Sequence, residues 1–245
     1  MDTSRQAELE NLFDIPVVPW SQIADEVVYD LDPGQHVAVL GTTGTGKTTF
    51  SIDLLNRLVN MRDSHVCAIG VKARDDTLKK TGWPIIHEWP PTYSQYEGRK
   101  VILWPRYSKP SMAKRTTGPV LRDALDDIML EGAWRVFIDE MAYLVETLGL
   151  RSVLDEYWNG ARSSHISLIA GTQRPAWLAR SSVSQSDWVI SFRINDVDDR
   201  NRAGEILGDR KRFAPLVGEL RKEGHEFVIV KGNHAVISWV DEFAQ

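Results

Sequence analysis

Cysteine is nearly absent from this chain: Cys67 is the only one in 245 residues. No internal disulfide can form, and the apolar run His65-Val66-Cys67-Ala68-Ile69 makes it a buried strand residue rather than a metal ligand or nucleophile. Long hydrophobic runs are missing too. The apolar stretches are strand-sized, and the polar start MDTSRQAELEN lacks the apolar centre of a signal peptide, so the expectation is a cytoplasmic protein with no membrane span. Nor is positive charge in excess. With 29 Lys+Arg against 34 Asp+Glu, the net charge of −5 excludes a protein that binds nucleic acid over its whole surface and leaves only local basic patches. Repeats and low-complexity tracts are absent. The 42% hydrophobic and 26% charged residues are ordinary for a globular chain that buries a substantial core, and the length fits one large α/β domain. Tryptophan alone is abundant: nine are dispersed from Trp20 to Trp239, a spread expected of packing rather than of base stacking.

Against this plain background one segment carries chemistry. Gly41 to Thr48 reads GTTGTGKT, matching G-x-x-x-x-G-K-[ST] at every fixed position, and it follows the apolar run His36-Val37-Ala38-Val39-Leu40. A strand that feeds a glycine turn and then opens a helix aims backbone N–H groups and the positive end of a helix dipole at one point, where a polyphosphate belongs. The expected cradle comprises Gly41, Thr42, Thr43, Gly44, Thr45, Gly46, Lys47, Thr48 and Thr49. Gly41 and Gly46 permit the turn, Lys47 reaches the β/γ-phosphates of ATP, and Thr48 offers its hydroxyl to Mg²⁺.

The helix after this loop is expected from Lys47 to about Arg62, with Phe50, Leu54, Leu55, Leu58 and Val59 on one stripe. Strands are expected at 36–40, 65–70, 101–104, 134–138, 166–170, 187–193, 226–231 and 235–239. Apolar strands alternating with amphipathic helices give an α/β fold with a mostly parallel central sheet flanked by helices, and the last two strands form a hairpin around Gly232-Asn233 at its edge. Residues 1–35 are expected to be a lead-in packed on the core through Ile15-Pro16-Val17-Val18-Pro19-Trp20, with 36–245 forming the P-loop domain. Pro105 to Gly118, PRYSKPSMAKRTTG, reads as a basic loop carrying Arg106, Lys109, Lys114 and Arg115.

Two further strand ends complete a constellation. Trp134 to Ile138 is an apolar strand closed by Asp139 and Glu140. A carboxylate at Asp139 holds the Mg²⁺ shell, and Glu140 polarises the attacking water. Ile166 to Ala170 ends in Gly171-Thr172-Gln173-Arg174-Pro175. In an additional-strand P-loop NTPase the strand between the two phosphate-site strands ends in a polar residue at the γ-phosphate, and the Gln173 amide, both donor and acceptor, suits that place.

The stretch Ala161-Arg162-Ser163-Ser164-His165 through Thr172-Gln173-Arg174-Pro175 resembles the FtsK/HerA superfamily of DNA-translocating ATPases, in which a helix-borne arginine precedes a strand ending T-Q-R-P. With GTTGTGKT and the DE-ended strand in the same order, the likeness spans residues 36 to 230. The resemblance implies a RecA-like fold, ATP and Mg²⁺ as cofactors, and a homo-oligomeric ring of five or six copies that threads double-stranded DNA. It also implies that Arg162 is an arginine finger completing a neighbouring copy's site, while the alternative of an arginine satisfying a helix C-terminus stays open. Arg200 resembles another arginine of FtsK-type proteins, and Arg174 is equally compatible with a local ion pair. Without a membrane region, a winged-helix module or the length for a nuclease, the chain is most like the compact genome-packaging ATPases of viruses, acting in the host cytoplasm or on the virion beside a capsid or portal component.

Other classes compete. A conjugation or plasmid-transfer pump would use the same parts, and a nucleotide-dependent switch or assembly ATPase would need the loop without DNA movement. Small-molecule kinases fit the DE and T-Q-R-P strand ends poorly, and the helix region Gly118 to Leu125 lacks the LSGGQ-like signature of an ABC-type ATPase.

Overall fold

Uninterrupted apolar strands need cover on both faces, and that requirement organises the molecule. The computed structural model describes residues 1–61, 64–106, 109–177 and 184–241. Its strands are β1 (Val37–Leu40), β2 (His65–Ile69), β3 (Ile85–Ile86), β4 (Lys100–Leu103), β5 (Trp134–Ile138), β6 (Ser167–Thr172), β7 (Trp188–Phe192), β8 (Glu226–Lys231) and β9 (His234–Trp239). They form one sheet in the order β3-β4-β2-β5-β6-β1-β7-β8-β9. Every pair from β3 to β7 is parallel, whereas β7–β8 and β8–β9 are antiparallel and end the sheet in the expected hairpin, with Lys231 opposite His234. Because β6 lies between β1 and β5, the fold is that of an additional-strand P-loop NTPase.

The helices are α1 (Thr3–Phe13), α2 (Trp20–Asp30), α3 (Lys47–Met61), α4 (Asp76–Lys80), α5 (Tyr93–Glu97), α6 (Ala113–Glu131), α7 (Arg151–Gly160), α8 (Val197–Ile206) and α9 (Arg210–Glu219). Side chains alternate along each strand, so Val37 and Val39 join α2 and α3 on one face while Ala38 and Leu40 join α1, α8 and α9 on the other. The remaining half of that second face packs Cys67, Val136 and Leu168 against α6 and α7. Cys67 is fully buried, and burial pushes its thiol up to about 12, as befits an inert strand residue.

The α3 stripe is buried as its spacing requires, with Phe50, Leu54, Leu55 and Leu58 all at 0% exposure; Arg62, at the expected helix end, lies outside the described residues. The basic loop is a correction. From Ala113 onward the chain is already helical, so Lys114 and Arg115 belong to α6, which continues through Gly118 and Pro119. The reason is the buried series Ala113, Thr117, Leu121, Ala124, Leu125 and Ile128, whose helical spacing outweighs one missing backbone donor at Pro119. Of the expected loop, Tyr107 and Ser108 lie outside the described residues.

Residues 1–35 contribute two helices. Val17 bridges Ile237 in parallel, with Val18 N–H donating to the Ile237 carbonyl at 3.0 Å. Arg5 pairs with Glu226 at 3.3 Å, both nearly buried, and donates to the Glu219 carbonyl at 2.7 Å. Trp20 is fully enclosed: its ring packs 4.9 Å from Phe50, and its indole N–H donates to Asp53 at 2.7 Å.

Two stability predictions follow from this packing. Trp20→Ala should cost about 3–5 kcal/mol in denaturant unfolding, the range for losing a buried aromatic ring; a loss below 1 kcal/mol would show that α2 does not anchor the fold. His36 is 1% exposed, and its Nδ1 accepts the Leu168 N–H at 3.1 Å, so the proton of the neutral ring sits on Nε2. Burial, with Arg162 repelling and Asp187 partly opposing, brings its pKa down from 6.5 to about 4. The unfolded chain therefore binds the extra proton first, and stability contributed by His36 is lost as pH falls from about 6.5 to 4, by roughly 3 kcal/mol at most. His36→Asn, which keeps an acceptor for Leu168, should flatten the acid slope of unfolding free energy over that window; an unchanged slope would contradict the assignment.

Candidate functional site

The three central strands all end on the same edge of the sheet, and their register decides what meets there. Leu40 pairs with Thr172 and Ile138 with Ala170, so the loop after β1 and the Asp139-Glu140 end of β5 both flank the end of β6. Three glycines shape the loop itself, with φ of +145° at Gly41, +74° at Gly44 and +104° at Gly46, values closed to most side-chain-bearing residues. Gly41 also has no room for a Cβ, which would stand 2.7 Å from that of Phe192. Within the loop the Thr45 hydroxyl donates to the Thr42 carbonyl at 2.8 Å, while Thr42 N–H donates to the Arg193 carbonyl at 3.0 Å.

Lys47 opens α3, is 7% exposed, and turns its ammonium onto the carbonyls of Gly41 at 2.7 Å and Thr42 at 3.0 Å. Burial lowers its pKa to about 8, with Asp139 and Glu140 partly opposing that fall. The Thr48 hydroxyl donates to Asp139 Oδ1 at 2.5 Å. One hydroxyl in the first turn of α3 and one carboxylate at the end of β5 are hard oxygen donors of the kind that bind Mg²⁺ together with substrate phosphates and water, so the residues fit that cation. Among the described residues no cluster of three or more His, Cys, Asp or Glu offers a metal cage of its own.

Glu140 stands beside this pair. Burial raises its pKa, opposed by Lys47 and reinforced by the like charge of Asp139, and it receives the backbone N–H of Gln173. The Thr172 hydroxyl lies 3.4 Å from its Oε1. Gln173 Oε1 accepts from the Thr43 hydroxyl at 2.5 Å, tying the end of β6 to the loop. Thr49 follows in the first turn of α3. The structure thus gathers Lys47, Thr48, Asp139, Glu140 and Gln173 in one place.

Arg162 is not among them. It lies before β6, at the opposite end of that strand from Gln173, and six residues of strand rise about 20 Å. There it is 57% exposed and forks onto Asp187 at 2.7 and 2.8 Å. Arg174 pairs with Asp199 at 3.5 Å and lies over the Trp177 ring, while Arg200 packs across Gly218.

Three residues at the site had no signal in the sequence. The Lys72 ammonium forms an ion pair with Asp139 Oδ2 from just beyond β2. Burial opposes its charge, but Asp139, Asp75 and Glu140 outweigh it and the pKa is raised. From the turn before β8, Lys222 covers Gly44 and His225 faces Gly46, its Nδ1 3.1 Å from the Thr45 carbonyl. That turn is fixed from behind by Glu226, which accepts the Arg221 N–H at 2.8 Å as well as pairing with Arg5.

Gly171 controls the spacing of the whole arrangement. A Cβ there would lie 2.5 Å from the Asp139 carbonyl oxygen, so no side chain fits between the ends of β5 and β6. Gly171→Ala should push Asp139 off Thr48, costing about 1–3 kcal/mol of stability and weakening the stabilisation given by a metal–nucleotide complex. Unchanged thermal shifts with Mg²⁺ and an ATP analogue would contradict this.

Known proteins share this architecture. Residues 25–69 match the family described as Helicase HerA, central domain. The DNA packaging ATPase P9 of Enterobacteria phage PRD1 is 29% identical over 217 residues, covering 83% of this chain and 86% of its own. Among solved structures, the genome packaging NTPase B204 from Sulfolobus turreted icosahedral virus 2, in complex with ATP-gammaS, is similar with a TM-score of 0.62 at 14% identity, over 87% of this chain and 100% of that one. VirB4 of Thermoanaerobacter pseudethanolicus aligns with a TM-score of 0.66 at 12% identity, over 84% of this chain and 89% of that one. Loop, strand order and carboxylate pair agree with these likenesses: the chain is a P-loop ATPase with the additional-strand fold, similar to the HerA central domain and to viral genome-packaging ATPases.

Proposed function

We propose that this ATPase is the motor of viral genome packaging, driving double-stranded DNA into a capsid as a ring of five or six copies. The observation that carries the reading is the meeting of Lys47, Thr48, Asp139, Glu140 and Gln173 at one sheet edge, in a chain that is similar to a phage DNA packaging ATPase over most of its length. In this account residues 36–245 are the motor domain and 1–35 a lead-in that braces it. The motor works in the host cytoplasm or on the virion, beside a capsid or portal component.

The loop N–H groups of residues 41–49 hold the phosphates of ATP, and Lys47 leaves its carbonyl partners to neutralise the β/γ-oxygens. Thr48 and Asp139 would hold Mg²⁺, which when bound would supply positive charge to the phosphates. Glu140 accepts the proton of the attacking water; its raised pKa makes it a better base than an ordinary exposed carboxylate. Gln173 donates to the γ-phosphate from one side of its amide, and its hydrogen bond to Thr43 carries the change at the phosphate into β6. Arg162, too far along β6 to serve its own loop, reaches the γ-phosphate of a neighbouring copy and offsets charge in the transition state. Asp187 keeps its guanidinium presented at the surface. Contacts to DNA need only a locally basic bore, since a moving motor requires weak, sequence-independent phosphate contacts.

Steady-state ATP turnover with and without duplex DNA tests this directly. Wild-type turnover should rise with DNA, Lys47→Ala should lose nucleotide binding, and Glu140→Gln should bind ATP yet turn it over about 10²–10⁴-fold more slowly. A Glu140→Gln protein with wild-type turnover would remove the base assignment. Turnover and mass that ignore DNA under all conditions would favour a nucleotide switch.

A further inference from the structure

Lys72 has two carboxylates in reach and a backbone that cannot follow its side chain. Its ammonium pairs with Asp139 Oδ2, while Asp139 Oδ1 is taken by the Thr48 hydroxyl. The second acid, Asp75, presents Oδ2 3.7 Å from the same nitrogen. Asp75 is itself anchored, since its Oδ1 accepts the N–H groups of Thr77 and Leu78 at 3.1 Å and so caps α4. The Lys72 carbonyl accepts the Trp104 indole N–H at 2.8 Å, and the Trp104 ring lies so close to Gly70 that a Cβ there would stand 3.0 Å from it. The main chain at Lys72 is therefore pinned. The side chain is not, being 41% exposed.

Asp139 is nearly buried, with a side chain 6% exposed, and a buried carboxylate needs a cation. Lys72 supplies one, and the cation that Thr48 and Asp139 suit would supply another at the same oxygens. Both cannot sit in contact with one carboxylate at full strength, because like charges at that separation repel. Asp75 is the nearest other acid on the ammonium's own segment.

We propose that Lys72 is a displaceable counter-ion: it neutralises Asp139 whenever no divalent cation is there, and moves to Asp75 when the metal–nucleotide complex takes Asp139. The proposal rests on the nucleotide and metal reading above. Lys72 is on this account a positioning residue, acting through Asp139 and not on the phosphates. It sets the metal concentration at which the site loads, and each loading shifts one charge onto the cap of α4. Because linkage is reciprocal, whatever the Lys72–Asp139 pair contributes to the metal-free protein is subtracted from metal affinity.

The test uses the full chain and a Mg²⁺ titration at a fixed concentration of the β,γ-methylene analogue of ATP, followed by thermal shift, so that no turnover enters the readout. Lys72→Met should lower the unfolding midpoint without metal, since Asp139 loses its cation, and should reduce the half-saturating Mg²⁺ concentration about fivefold. Asp75→Asn, which weakens the second perch and leaves Lys72 on Asp139, should raise it. Lys72→Arg keeps the charge and should hold the metal-free midpoint near wild type. A Lys72→Met protein whose half-saturating Mg²⁺ equals that of wild type, or exceeds it as a lost phosphate ligand would require, overturns the proposal while leaving the function standing. A wild-type protein with no Mg²⁺-dependent response to the analogue would take the proposed function down with it.

Discussion

Everything at the site depends on how closely β5 and β6 approach at the Asp139–Gly171 contact. Parallel strands can bring three loop ends to one edge only if their register is fixed, and here it is fixed by side chains buried on both faces of the sheet. Gly171 then removes the last atom that would hold the strands apart. Asp139 is consequently placed against Thr48, Glu140 against the backbone of Gln173, and Gln173 against Thr43. The charge pattern follows from the same crowding. Two adjacent carboxylates share one corner with the buried Lys47 and the half-exposed Lys72, so the acids are held by the bases and the bases by the acids.

The parts of this arrangement that are local in sequence were legible there. GTTGTGKT between an apolar strand and an apolar-striped helix specifies its own turn, because glycine takes the positive φ at Gly41, Gly44 and Gly46 at least steric cost. Asp139 and Glu140 were legible for a similar reason: an apolar strand that ends in two carboxylates has few other uses. The additional strand β6 and the closing hairpin at Gly232-Asn233 were also readable from apolar runs and turn residues.

What escaped the sequence is non-local. Lys72 meets Asp139 across 67 positions, through the pairing of β2 with β5, and nothing in Gly70-Val71-Lys72-Ala73 announces it. Lys222 and His225 reach the loop through the antiparallel β8, and their turn is held by Arg5 from the far end of the chain. The start of α6 is hidden in the sequence because Pro105 and Pro110 are local breakers in a polar stretch, whereas the buried stripe from Ala113 to Ile128 belongs to the tertiary fold. In each case a local rule was outweighed by burial elsewhere in the molecule.

The position of Arg162 gives the account its most exposed claim, that hydrolysis is completed between copies and not within one. Mixing two variants tests it most directly: Lys47→Ala, which keeps Arg162 but cannot bind ATP, and Arg162→Ala, which keeps the loop but lacks the arginine. Each alone should be inactive. The mixture should regain ATP turnover, because an intact loop can then face an intact arginine from its neighbour. Turnover in the mixture no greater than the sum of the two separate variants, under conditions where wild-type copies associate, would contradict the intersubunit site.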